Sequence, residues 1–300
     1  MYKRILVPLD GSDLSQQSLP YAQYIAEKAG ASLDIIQVIE VSTARLPRTV
    51  DAGPHGQHSI SDEHLGQSLE TIAAGLRESI VSVRTLIIEG LPAEAILNEA
   101  ARVEGTLIVM TTHGRSGLSR LWLGSVADKV VRQAVSPVLV VTPTDHGQPR
   151  DAFQFPGSIV LTLDGSELAE KAMPHAVGLS TTLMLGLTLL RVVDPLGTSS
   201  DASTHAAHVA QLQREAKAYL QQIAARLMKE GVSSVSHVVA TGYPALAILD
   251  SLSASGEQLV VMATHGRSGI GRLLLGSVTD RVIRNAQGPV LVVPVGRRTV

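Results

Sequence analysis

Cysteine is absent from the 300 residues. Disulfides, thiolate metal sites and a cysteine nucleophile are therefore excluded, and the chain suits a reducing compartment. Aromatic residues make up only 3% of a sequence that is 45% hydrophobic, so the core must be built from Val, Ile, Leu and Ala. That palette favours parallel sheets covered by helices. There is no excess of charge: 25 Lys and Arg against 27 Asp and Glu leave a net −2. A nucleic-acid partner therefore gets no support from a basic field. Long apolar runs are missing too, and no stretch approaches the roughly 20 apolar residues of a membrane span. Thr182 to Val193 is strongly apolar, but its length and Arg191 make it a buried strand. Met1 to Asp10 carries charges followed by an apolar run too short for a signal peptide. A soluble, cytoplasmic chain is the expectation.

Several catalytic signatures are also missing. There is no Gly-x4-Gly-Lys-Ser/Thr phosphate loop and no Gly-x-Ser-x-Gly nucleophile elbow. No Gly-x-Gly-x2-Gly follows a first strand, which argues against a dinucleotide enzyme. No general base or second substrate site emerges.

What is present is a repeat. Thr112-His113-Gly114-Arg115-Ser116-Gly117 returns as Thr264-His265-Gly266-Arg267-Ser268-Gly269, 152 residues later. Leu123-Gly124-Ser125-Val126 and Pro137-Val138-Leu139-Val140-Val141 return at the same offset, as Leu275-Gly276-Ser277-Val278 and Pro289-Val290-Leu291-Val292-Val293. Leu9-Asp10-Gly11-Ser12 matches Leu163-Asp164-Gly165-Ser166 at an offset of 154. The matches are collinear, so the chain is a duplicated domain. The expected domains are residues 1–144 and 157–300, joined by a polar, breaker-rich linker near Thr144 to Pro156.

Within each half, apolar strand-like runs alternate with helical segments. Strands are predicted near 3–9, 32–39, 81–89, 106–112 and 137–142, with helices near 13–29, 61–80, 92–103 and 124–135. The second half gives strands near 158–163, 183–193, 233–241, 258–263 and 289–294, and helices near 166–180, 203–230, 244–255 and 276–286. Such alternation predicts an α/β fold, a parallel sheet with helices on both faces. Arg45 to Leu65 fits neither pattern and reads as a surface loop.

Two motifs carry chemistry. Thr111-Thr112-His113-Gly114, nine residues, then Gly124-Ser125 places glycines after a strand and Gly-Ser at a helix start. That is phosphate-binding geometry, because bare backbone N–H groups and a positive helix end face the anion. The alternative is a plain helix start, with Asp128 and Asp280 three residues after Ser125 and Ser277 as in a capping box. Asp10 and Asp164 end the first strand of each half, where an open α/β sheet binds ligands. Each suits a ribose contact or a turn. Arg115, Arg120, Arg267 and Arg272 face either phosphates or solvent. His113 and His265 read as structural or ligand-adjacent, and His55-x2-His58 and His205-x2-His208 as exposed histidines rather than metal ligands.

The Gly-x2-Gly-x9-Gly-Ser spacing, the Val-Pro-x-Asp-Gly-Ser opening and the closing Pro-Val-Leu-Val-Val resemble the universal stress protein family across nearly the whole chain. The resemblance implies two Rossmann-like, adenine nucleotide alpha hydrolase-like domains, each a five-stranded parallel sheet of order 3-2-1-4-5. It implies ATP, with or without Mg²⁺, as the ligand. Carried over, Asp10 and Asp164 would hold ribose, and Val38 and Val192 would meet adenine through the backbone. Gly114, Gly124, Ser125 and Val126 would cradle phosphate in the first half, and Gly266, Gly276, Ser277 and Val278 in the second. The family's first motif glycine is Thr111 here and Ala263 in the second half. The branched Thr111 leaves less room than Ala263, so the second half is expected to bind at least as tightly as the first.

The resemblance further implies that the final strands of the two halves pair antiparallel as an internal pseudo-dimer. A homodimer of whole chains and a protein partner are expected as well. Three functions remain open: a regulatory ATP-binding protein of the stress response, a slow ATPase, and a scaffold with degenerate sites.

Overall fold

The computed structural model describes residues 1–40, 59–80, 82–113, 123–143, 153–195, 202–253, 257–266 and 275–295. Chain order in the first half is β1 (Arg4–Leu9), α1 (Asp13–Gln16), α2 (Leu19–Ala29), β2 (Ser32–Ile39), α3 (Ser59–Leu76), β3 (Val83–Glu89), α4 (Pro92–Ala101), β4 (Thr106–Thr111), α5 (Ser125–Gln133) and β5 (Val138–Val141). The second half repeats it as β6 (Ser158–Thr162), α6 (Glu167–Glu170), α7 (Met173–Leu183), β7 (Gly186–Val193), α8 (Ala202–Lys229), β8 (Val235–Thr241), α9 (Pro244–Ser253), β9 (Leu259–Ala263), α10 (Ser277–Asn285) and β10 (Val290–Val293).

Each half is a parallel sheet, in order 3-2-1-4-5 and its counterpart 8-7-6-9-10. The two join through β5 and β10 into one ten-stranded sheet. That joint is antiparallel, with Leu139 opposite Leu291, Val138 opposite Val292 and Val140 opposite Val290. Pairing Val138 with the counterpart of Val140 marks a pseudo-twofold through the central leucines. It satisfies two apolar strands that would otherwise be exposed edges. One face of the sheet packs Ile5, Val7, Leu33, Ile35, Leu107 and Val109 under α2 and α3, continuous with Ile159, Leu161 and Leu189 under α7 and α8. The opposite face packs Leu6, Ile36, Ile108 and Met110 with Ile96 and Val130 of α4 and α5, again continuous with the second half. Both cores therefore cross the joint.

Two sequence expectations need correction. The predicted helices 13–29 and 166–180 are each broken in two, because Pro20 and Pro174 lie in the first turns of α2 and α7 and cannot continue a preceding helix. The predicted strand 183–193 begins at Gly186, since Leu183 ends α7 and Met184 turns left-handed at φ 55°. Gly30 occupies the matching turn in the first half, at φ 61°. The end of the expected linker is packed rather than loose: Phe153 meets Tyr21 edge-on at 4.9 Å, and Phe155 stacks on Tyr24 at 4.6 Å.

The halves differ at the N-terminal ends of their strands. Arg4 is 1% exposed and binds Asp34 Oδ2 at 2.6 Å and Glu99 Oε1 at 2.6 Å. Arg84 binds the same Asp34 at 2.6 Å. The corresponding residues of the second half are Ser158, Thr188, Ser236 and Ser251. There a Thr188–Ser236 hydroxyl bond of 2.9 Å replaces the ionic network.

Candidate functional site

In the first half β1 lies between β2 and β4. The chain crosses to opposite sides of β1 on leaving it and on reaching β4, so the strand order reverses here. A crevice must open beyond the carboxyl ends of these strands. A cavity of about 550 Å³ occupies that position, within the 300–1,000 Å³ typical of small-molecule sites. Asp10, Val38, Thr111, Gly124, Ser125 and Val126 all line it, joined by Pro92 and Ile96 of α4, Met110, Glu40 and His113. The structure thus brings six of the seven residues expected in the first half around one space. Gly114, the seventh, lies outside the described residues, as do Arg115, Arg120, Arg267, Arg272, His55, His58 and residues 45–58 of the expected Arg45–Leu65 loop, whose last seven residues are instead the start of α3.

Backbone alternation explains the place of Val38. Ser32 N–H bonds to Lys3 O on the β1 side at 3.0 Å, and Leu33 N–H to Ser82 O on the β3 side at 2.9 Å. By strand alternation the N–H and C=O of Val38 face the β1 side. The β1–β2 pairing ends one residue earlier, at Leu9 and Gln37. The carbonyl of Val38, beyond the last Leu9–Gln37 pair, therefore faces the space over the end of β1. Val192 follows the same pattern, because Leu163 N–H takes Leu190 O at 2.8 Å and Val193 O is taken by Gly242 N–H at 3.0 Å.

Asp10 has a turn role. Its Oδ1 accepts from Ser12 N–H at 3.0 Å and from Ser12 Oγ at 2.6 Å. Ser12 in turn caps α1 by accepting from Ser15 N–H at 3.2 Å. Asp164 and Ser166 repeat the arrangement at 2.9 and 2.6 Å. In both halves the turn uses Oδ1.

The glycines at the start of α5 and α10 have a steric cause. Gly124 N–H donates to Thr112 O at 2.8 Å, and a Cβ on Gly124 would lie 3.0 Å from that carbonyl. For Gly276 the donation to Thr264 O is 2.9 Å and the Cβ would lie at 2.9 Å. The helix start is thus pressed against the strand end. Gly124 and Gly276 are the N-caps and bring no side-chain cap. Asp128 and Asp280 do not form the expected capping box. They are drawn instead to Arg132 and Arg284, one turn on, at 2.8 and 2.9 Å. The first intrahelical bond of α5 runs from Asp128 N–H to Gly124 O. The N–H groups of Ser125, Val126 and Ala127 precede it, as at every helix start, and carry the positive end of the dipole.

The halves diverge around this frame. Thr111 Oγ donates to His113 O at 2.7 Å. Ala263 has no hydroxyl, and its carbonyl instead accepts from Thr279 Oγ at 3.0 Å. Gly266 is pressed against Asp164 so closely that a Cβ there would run into Oδ2. Arg191 replaces Gln37, its guanidinium 4.8 Å from the centre of the Tyr219 ring. His113 and His265 keep their Nδ1 atoms on Thr112 and Thr264 at 2.9 and 3.2 Å, and their Nε2 atoms are buried without a partner. Burial, with Arg284 adding to it, holds His113 below its ordinary value of 6.5.

Sequence reasoning missed two features. Pro92 lies in a Gly-x-Pro-Ala stretch that repeats at Gly242 to Ala245, but the apolar wall it forms with Ile96 and Met110 appears only once α4 is placed over β2 and β4. The Asp128–Arg132 and Asp280–Arg284 pairs were legible as a repeated Asp-x3-Arg at the helix spacing. Among the described residues no group of three His, Asp or Glu could hold a metal ion. No described helix is long and apolar enough to cross a membrane.

The universal stress protein family model matches residues 1–142 and 157–294. A universal stress protein of Methanocaldococcus jannaschii is 37% identical over 145 residues, covering 47% of this chain and 82% of that protein. One from Mycobacterium tuberculosis is 28% identical over 303 residues, covering 96% of each. The structure is similar to that of a universal stress protein from Archaeoglobus fulgidus, with TM-score 0.66, 20% identity, and 96% of this chain and 95% of the other covered. With its motifs, strand order and two matched halves, the chain belongs to the universal stress protein family as a tandem two-domain member.

Proposed function

We propose that the chain is an ATP-binding regulatory protein, whose nucleotide occupancy controls its conformation or its choice of protein partner. The observation that carries this reading is the cavity over β1, β2 and β4, lined by Asp10, Val38, Thr111, Gly124, Ser125 and Val126. Its parts suit the parts of an adenine nucleotide. The strand edge at Val38 offers its backbone carbonyl to a base, and Ile36, Ile96 and Met110 give that base an apolar wall. Asp10 suits ribose hydroxyls, and the uncapped start of α5 suits phosphate. Mg²⁺ would come with the triphosphate, held by phosphate oxygens and water.

Regulation fits better than fast catalysis. Rapid phosphoryl transfer needs a placed nucleophile, metal ligands and charge clamps. Among the described lining residues the carboxylates are Asp10 and Glu40, and burial, then the charge of Arg284, hold His113 below its ordinary value. Calorimetry with ATP and GTP tests the reading. Binding of ATP with clear preference over GTP supports it, and equal affinity for both, or no heat with either, overturns it.

A further inference from the structure

The helices that start at the two cradles, α5 and α10, meet across the β5–β10 joint. Asp128 binds Arg132 of its own helix at 2.8 Å, and Asp280 binds Arg284 at 2.9 Å. Each arginine also reaches across: Arg132 to Asp280 at 3.4 Å and Arg284 to Asp128 at 3.7 Å. The four side chains form a reciprocal ring on the pseudo-twofold, 23–32% exposed.

This ring lies directly behind the first-half cavity. Asp128 follows Ser125, Val126 and Ala127, all three of which line it. His113 lines it as well, with Nε2 buried and without a partner. The charge of Arg284, from the other half, is felt at that imidazole. A carboxylate in the first turn of a helix competes with a ligand anion for the positive end of the dipole. Asp128 stands in that place, and it is neutralised by one arginine of its own half and one of the other.

We propose that Arg284 of the second half is a positioning residue for the first-half site: by neutralising Asp128 from across the joint, it leaves the start of α5 to the phosphates of a bound nucleotide. Arg132 holds the mirror position toward Asp280. The proposal rests on the nucleotide reading of the cavity. It makes the internal pairing of the halves part of the site, so that neither half carries a complete one alone.

The test compares the full chain carrying Asp164→Ala, which leaves the first-half site to be read, with the same chain carrying also Arg284→Gln. Calorimetry is run with ATP and with adenosine, at low and high salt. Loss of the cross-joint charge weakens ATP roughly two- to fivefold at low salt, with adenosine unchanged and the difference reduced at high salt. Adding Asp128→Asn restores ATP affinity. By NMR, His113 protonates at higher pH once Arg284 is neutral, a readout that needs no nucleotide. Equal losses for ATP and adenosine would mean that Arg284 only braces the joint, and unchanged ATP affinity would remove its role. An unmoved His113 titration would break the link between Arg284 and the cavity wall. If the parent chain binds neither ligand, the nucleotide reading of this half fails, and this proposal falls with it.

Discussion

Asp10 is the residue at which a turn role and a ligand role can be separated experimentally. Its Oδ1 already accepts two bonds from Ser12, at 3.0 and 2.6 Å, and these position the cap of α1. The nucleotide reading gives the other oxygen and the charge to ribose. Asp10→Asn keeps an oxygen for Ser12 and replaces the other acceptor with a donor. A hydrogen bond to a charged group contributes about 1.5–3 kcal/mol, and about 1.4 kcal/mol is tenfold in affinity. Asp10→Asn is therefore expected to weaken ATP at the first-half site roughly 10- to 100-fold while the melting temperature stays close to that of the parent. Asp10→Ala is expected to lose the same affinity and also the Ser12 turn, at about 1–2 kcal/mol of stability by comparison with a lost cap. Calorimetry and thermal unfolding on the same samples give both numbers. Parent-like ATP affinity in Asp10→Asn would refute the ribose role and leave Asp10 as a turn residue.

Four further outcomes are expected. Asp34→Ala should cost about 1.5–3 kcal/mol in denaturant unfolding, because it removes one of the two carboxylates bound to the buried Arg4 and leaves it Glu99 alone, whereas Thr188→Ala at the matching position should cost under about 1 kcal/mol. Gly124→Ala should weaken ATP binding, since its methyl would sit 3.0 Å from Thr112 O and push the start of α5 off the strand. Burial lowers His175, bonded to Tyr2 at 3.0 Å, below its ordinary 6.5, so the unfolded chain binds more protons there. Stability should accordingly fall as pH drops below about 6.5, and His175→Phe should flatten that slope in urea titrations at several pH values. Single-turnover assays with labelled ATP should give hydrolysis well below about 1 s⁻¹, the lower end of kinase rates.

The fold was legible because duplication and alternation are local signals. Asp10-Gly11-Ser12 and Gly124-Ser125 each mark a strand end and a helix start, and both halves repeat them. The antiparallel joint was implied by the family resemblance, and the two apolar final strands with no cover of their own agree with it. One local signal was overrun: Pro20 and Pro174 mark helix breaks, but the apolar spacing ran on through them. Another kind of information was not local. The buried Arg4–Asp34–Glu99 network joins residues 30 and 95 positions apart. At the site, the motif residues were legible one by one. The wall from Pro92, Ile96 and Met110 was not, because nothing in an apolar residue distinguishes cavity lining from core before the helices are packed. The capping-box alternative for Asp128 lost to a local rival, Arg132 one turn on at 2.8 Å, while its second partner, Arg284, is 156 positions away and comes close only through the β5–β10 joint.

A structure of the intact chain crystallised with a non-hydrolysable ATP analogue tests the central claim most directly. The nucleotide is expected beyond the carboxyl ends of β1 and β4 in the first half, its base against the Val38 edge, its ribose at Asp10 and its phosphates at the start of α5. An analogue bound elsewhere while that cavity stays empty, at concentrations that saturate binding in solution, would contradict it.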